Sequence, residues 1–116
     1  MTVRRLKTYT SETGYVYEYY FVGKRPALHE AATEYVFDVS TDRKATFAVS
    51  IFLLDRAVAS WESQHGRKLV EAEHYASAKM RLFQAFDEVE DMMEQGRGLM
   101  IGPEEMEGLL AKLGVD

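Results

Sequence analysis

The sequence predicts an α+β fold: an antiparallel sheet of three or four strands comes first, and one long and two shorter helices follow and cover one face. Three observations carry this. Hydrophobicity alternates with period two up to about residue 52. From about residue 55 the apolar positions recur every three or four residues. No Pro-, Gly- or Ser-rich linker divides the two stretches, so residues 1–116 read as a single domain, with a sheet part over about 3–52 and a helical part over about 55–114.

The strands follow in order. A weaker strand at about 3–9 turns through Ser11-Glu12-Thr13-Gly14 into one starting at Tyr15. There Tyr15, Tyr17, Tyr19 and Phe21 are all aromatic, so one strand face carries the bulk. Gly23 to Pro26 interrupts the pattern, because proline cannot donate to a ladder. Tyr35, Phe37 and Val39 define the next strand, and Phe47, Val49 and Ile51 the one after it. The short polar stretch 40–44 suits a hairpin, and hairpin links imply antiparallel pairing.

The helices come next. Asp55 is placed to cap a helix ended by Gly66, with Leu54, Ala57, Val58 and Trp61 on one face. A longer helix is expected from about Glu71 to Gln95, with Tyr75, Ala78, Leu82, Phe86, Val89 and Met93 as its apolar stripe. Pro103 opens a third helix carrying Met106, Leu109, Leu110 and Leu113. Tyr35, Phe37, Phe47, Val49, Trp61, Leu82, Phe83 and Phe86 are expected to share one core.

Composition narrows the function. The chain carries 14 Lys and Arg against 19 Asp and Glu, a net charge of −5, with 28% charged residues. Residues 1–44 hold a balance of +1 and residues 45–116 one of −6. The absence of cysteine excludes disulfides, Cys-ligated zinc or iron–sulfur sites and a thiol nucleophile. No apolar run approaches the roughly 18–20 residues of a membrane-crossing helix, so no membrane partner is expected. Arg4-Arg5 is followed by polar residues rather than an apolar stretch, and a cytoplasmic protein is expected.

Motifs for chemistry are sparse. Glu71 and His74 share one helix face as an E-x-x-H pair, a spacing found in di-iron carboxylate bundles. Those sites require a second such pair, so Glu71 and His74 are the weak candidates for a metal-dependent enzyme, and no metal, cofactor or catalytic residue is expected. Asp87, Glu90, Asp91 and Glu94 form an acidic strip that reads as a solvated surface. No nucleotide-binding glycine loop or G-x-S-x-G elbow is present.

Two binding classes remain. Arg4, Arg5, Lys24 and Arg25 lie among sheet aromatics, the composition of a single-stranded nucleic-acid binder; the net charge of −5 weighs against it. The other class is a non-catalytic protein-interaction or regulatory module. Its candidate residues are Val16, Tyr20, Val22 and Val36 on the even-numbered sheet face, with Leu109, Leu110 and Leu113 of a third helix that the Gly-rich stretch 96–102 lets swing. Helices on the odd face leave the even face uncovered, and the expected cover is a second copy in a homodimer, with an unidentified protein partner as the other occupant.

Overall fold

The computed structural model describes residues 6–41 and 45–116. The order of elements is β1 (Lys7–Thr10), β2 (Val16–Pro26), β3 (Ala32–Ser40), β4 (Phe47–Leu54), α1 (Asp55–His65), α2 (Glu71–Glu88), α3 (Met92–Gln95), β5 (Gly98–Ile101) and α4 (Pro103–Lys112). The fold is α+β. Among the described residues the sheet has five strands in spatial order β1-β2-β3-β4-β5. The pairs β1–β2, β2–β3 and β3–β4 are antiparallel, and β4–β5 is parallel.

The expected three or four antiparallel strands are thus joined by a fifth that runs parallel to β4. A parallel neighbour requires a crossover, and α1, α2 and α3 provide it. The stretch 96–102 is therefore not a free linker: Leu99 and Ile101 are buried, while Gly98 and Met100 alternate outward. A strand of four residues between glycines is too short to declare a period.

The odd-numbered face meets the helices. Tyr17, Tyr19, Tyr35, Phe37, Val39, Phe47, Val49 and Ile51 are buried there, joined by Trp61 of α1, Leu82 and Phe86 of α2 and Met106, Leu109 and Leu110 of α4. Tyr17 stacks on Phe86 with ring centroids 4.1 Å apart, and Tyr9 stacks on Phe83 at 4.4 Å. Fully burying each such side chain is worth about 1.5–3 kcal/mol, which decides the side on which the helices pack. Among the described residues no helix is long and apolar enough to cross a membrane.

Three local features depart from expectation. Asp55 opens α1 as its first residue rather than as its cap; no side chain caps this end, and the Asp55 N–H donates to the Ala31 carbonyl at 2.9 Å. The long helix stops at Glu88 instead of Gln95, with Val89 extended. The Asp91 carboxylate accepts the Glu94 N–H at 3.2 Å and starts α3, a local bond that competes with continuing the helix. The break changes phase, so Met92 rather than Met93 enters the core. Gly66 ends α1 as expected, at φ 68°, a left-handed conformation that costs glycine little.

Residues 42–44 of the expected hairpin, and the start of the expected first strand before Leu6, lie outside the described residues.

Candidate functional site

All helices lie against the odd-numbered face, which leaves the other face of the sheet open. Its surface is set by register. One row crosses the strands as Arg25, Glu34, Phe52 and Met100. The next, two residues away and so about 7 Å along the strands, is Gly23, Val36, Ser50 and Gly98. Tyr20, Asp38 and Ala48 form the third. The middle row is built mostly from small residues, so it forms a furrow. Phe52 and Met100 stand beside it as a ridge.

A β-bulge creates this arrangement. The register between β2 and β3 slips between Phe21 and Gly23, leaving Val22 as the extra residue. Beyond it the faces of β2 exchange. Lys24 turns to the helix side, opposite Tyr35, and pairs with Glu71 of α2. Arg25 turns to the open side, directly opposite Glu34. Arg25 Nε donates to Glu34 at 2.9 Å and Nη2 at 3.3 Å, while the Ser50 hydroxyl donates to the same carboxylate at 2.5 Å. Glu34 is 6% exposed. The Arg25 guanidinium, followed by the Ser50 hydroxyl, holds its carboxyl below the usual carboxylate range against the opposing effect of burial. The Tyr20 hydroxyl donates to Asp38 at 2.6 Å. Arg25, Glu34 and Asp38 are thus engaged within this face.

Besides the ion-paired Arg25, whose side chain is 64% exposed, the open face exposes apolar side chains. Val16 is 47% exposed, Val22 43% and Met100 46%, with Val36 and Phe52 half-buried. Val16, Tyr20 and Val36 therefore lie where the period-two pattern puts them, while Val22, the extra residue of the bulge, has no register partner. Met100 and Gly98 escaped sequence analysis because β5 was not legible as a strand; the alternation of Gly98-Leu99-Met100-Ile101 is the signal they carry.

The third helix sits differently from the expectation. Leu109 and Leu110 are 3% and 0% exposed in the chain's own core, where α4 packs on α1 and α2. Pro103 and the Glu105 carboxylate, which accepts the Gly102 N–H at 2.8 Å, fix the start of α4 directly after β5. Neither leucine can reach a neighbour, and only Leu113 keeps a partly exposed side chain.

The metal candidates separate. Glu71 is turned toward Lys24. His74 faces a cleft of about 240 Å³ between α1, α2 and the ends of β3 and β4, beside Thr33, Leu53, Asp55 and Glu62. Its Nε2 is buried without a hydrogen-bond partner among the described residues. Among these residues no group of three His, Cys, Asp or Glu side chains converges to hold a metal ion. The acidic strip is dispersed as well: Asp87 accepts the Tyr9 hydroxyl at 2.7 Å and the Glu12 N–H at 2.9 Å, and Asp91 starts α3.

The basic candidates are ion-paired at the surface or lie outside the described residues. Lys24 and Arg25 are paired with Glu71 and Glu34, their side chains 42% and 64% exposed. Arg4 and Arg5 lie outside the described residues. The large sheet aromatics, Tyr17, Tyr19, Tyr35 and Phe37, are buried under the helices rather than available for base stacking.

No known protein family matches the chain, and no curated protein or solved structure matches it either.

Proposed function

We propose that the protein is a non-catalytic interaction module that acts as a homodimer through the open face of its sheet. The observation that carries this is the ridge of Phe52 and Met100 lying beside the furrow of Gly23, Val36, Ser50 and Gly98. A two-fold axis between the rows lays the ridge of each copy into the furrow of the other, which is the self-complementarity an isologous contact requires.

Charge on the open face does not bar a second copy. The chain carries −5, so two copies repel wherever unpaired carboxylates meet. On the open face Glu34 and Asp38 already have partners in their own chain. A buried carboxylate that keeps its hydrogen bonds avoids the penalty of an uncompensated charge. Size also fits. The 36 residues of the five strands, each covering about 4.8 Å by 3.3 Å, give a flat footprint of about 570 Å². Side-chain relief brings this near the roughly 800 Å² per partner of a standard interface.

The test is molar mass by light scattering after gel filtration at tens of micromolar. The wild-type chain should elute near twice 13.3 kDa. Met100→Glu puts a charge on an exposed ridge residue outside the monomer core. It should elute near 13.3 kDa with its helical circular dichroism unchanged. A wild-type mass near one chain overturns the proposal.

A further inference from the structure

Away from the open face, on the helix side of the sheet, a cleft lies where β1, the turn after it, α2 and α4 meet. Its volume of about 360 Å³ falls within the roughly 300–1,000 Å³ of small-molecule sites. Met80 and Phe83 of α2 and Leu109 of α4 give it an apolar lining. Tyr9 lies flat on Phe83, with ring planes 9° apart. The Tyr9 hydroxyl donates to Asp87, so ring pair and carboxylate are already held in one arrangement. A site organised in advance loses less freedom when a ligand enters.

The rim of this cleft is acidic. Among the described residues that line it, Glu12, Asp87 and Glu88 stand against one basic side chain, Lys112. Asp87 accepts from Tyr9 and from the Glu12 N–H, and a carboxylate has about four acceptor positions, so some remain open. The side chains of Glu12 and Glu88 have no ion-pair partner among the described residues. The wall itself registers the negative field. Burial, then the Asp87 hydrogen bond and charge, then the Glu12 charge, push the Tyr9 hydroxyl up to about 12.

Charge and shape together select the ligand class. An anion is repelled, and a neutral molecule gains only from the lining. A bare metal ion is not matched, because among the described residues no three such side chains converge to hold one. Calcium, for comparison, takes roughly 6–8 oxygens at bonding distance. The remaining class is a cation with apolar surface of its own. We propose that the cleft binds a small organic ammonium ion, its charged head among Glu12, Asp87 and Glu88 and its apolar body on Met80, Phe83 and Leu109.

The test is a proton–nitrogen correlation NMR titration of the full chain with phenethylammonium chloride at constant ionic strength. Phenethyl alcohol, which lacks the charge, and methylammonium, which lacks the body, are the comparisons. Phenethylammonium should give saturable shifts at the amides of Glu12, Gln84 and Asp87, and none at Ser50 and Met100 on the open face. Each comparison compound should bind about fivefold more weakly or worse, one for want of Coulomb attraction and the other for want of apolar area. Glu88→Gln should weaken phenethylammonium about two- to fivefold, and Lys112→Gln should tighten it by a similar factor by removing a like charge. Both side chains are exposed, so the spectrum away from the cleft should stay that of the native fold. The absence of saturable shifts at millimolar phenethylammonium, equal binding of phenethyl alcohol, or an affinity that neither substitution changes overturns the proposal.

Discussion

Tyr9 and Asp87 lie 78 residues apart in sequence and are joined by a hydrogen bond of 2.7 Å from phenol to carboxylate. The bond ties the edge strand β1 to the last turn of α2. The same carboxylate accepts the Glu12 N–H at 2.9 Å, so one side chain anchors both the strand and the turn that follows it.

This bond has a signature in alkali. Burial, then the Asp87 hydrogen bond and charge, push the Tyr9 hydroxyl from 10.0 up to about 12. A raised value in the fold means the contribution is complete below pH 10.0 and is lost as pH rises toward about 12. Tyr9→Phe keeps the stacking on Phe83 and removes the bond. It should cost about 0.5–1.5 kcal/mol at neutral pH by urea unfolding. The stability difference from wild type should then narrow between pH 10.0 and about 12.

Acid should act at a different place. The Arg67 guanidinium and the Val70 N–H hold the Glu73 carboxyl down from 4.5 to about 2. A lowered value means the contribution is complete above pH 4.5 and is lost as pH falls toward about 2. Glu73 accepts from Arg67 at 2.8 and 3.0 Å and from Val70 at 3.0 Å, at the start of α2. Glu73→Gln should therefore flatten the acid limb of the stability–pH curve over that interval. An unchanged limb would remove this group from the acid response.

The core offers a larger effect. Phe86 is 1% exposed and stacks on Tyr17. Phe86→Ala should cost about 3–5 kcal/mol in urea unfolding, the range for deleting a buried aromatic ring. A cost under about 1 kcal/mol would mean that the α2 face is misassigned.

The pair Arg25 and Glu34 should be non-additive. Arg25→Met alone leaves a buried carboxylate with only the Ser50 hydroxyl, and Glu34→Gln alone leaves an exposed guanidinium that water can solvate. The arginine substitution should be the more damaging of the two, and adding Glu34→Gln to it should recover part of the loss in a double-mutant cycle.

Legibility followed the length of each pattern. Strands β2, β3 and β4 have 8–11 residues and display their period plainly, and Gly66 and Pro103 mark helix ends by backbone geometry. The open-face positions of Val16, Tyr20 and Val36 followed from that period. Other features depend on tertiary context. The bulge at Val22 reverses the faces of Lys24 and Arg25; Gly23 beside it is the local sign, read in the sequence as an interruption although β2 continues to Pro26. Strand β5 exists because β4 offers it an edge. The end of α2 is set by a competition between the helix and the Asp91 cap, each worth only about 1 kcal/mol. Leu109 and Leu110 have the same apolar spacing whether α4 packs on its own chain or on a neighbour, so periodicity alone could not place them.

The most direct measurement is an isotope-filtered nuclear Overhauser experiment on a sample mixed from labelled and unlabelled chains, which records only contacts between copies. Ridge-in-furrow pairing predicts cross-peaks from the Met100 methyl and Phe52 ring of one copy to the Val36 and Val22 methyls of the other. Contacts between copies confined to helix-layer residues such as Leu113, or no intermolecular cross-peaks at millimolar concentration, would contradict a dimer built on the open face.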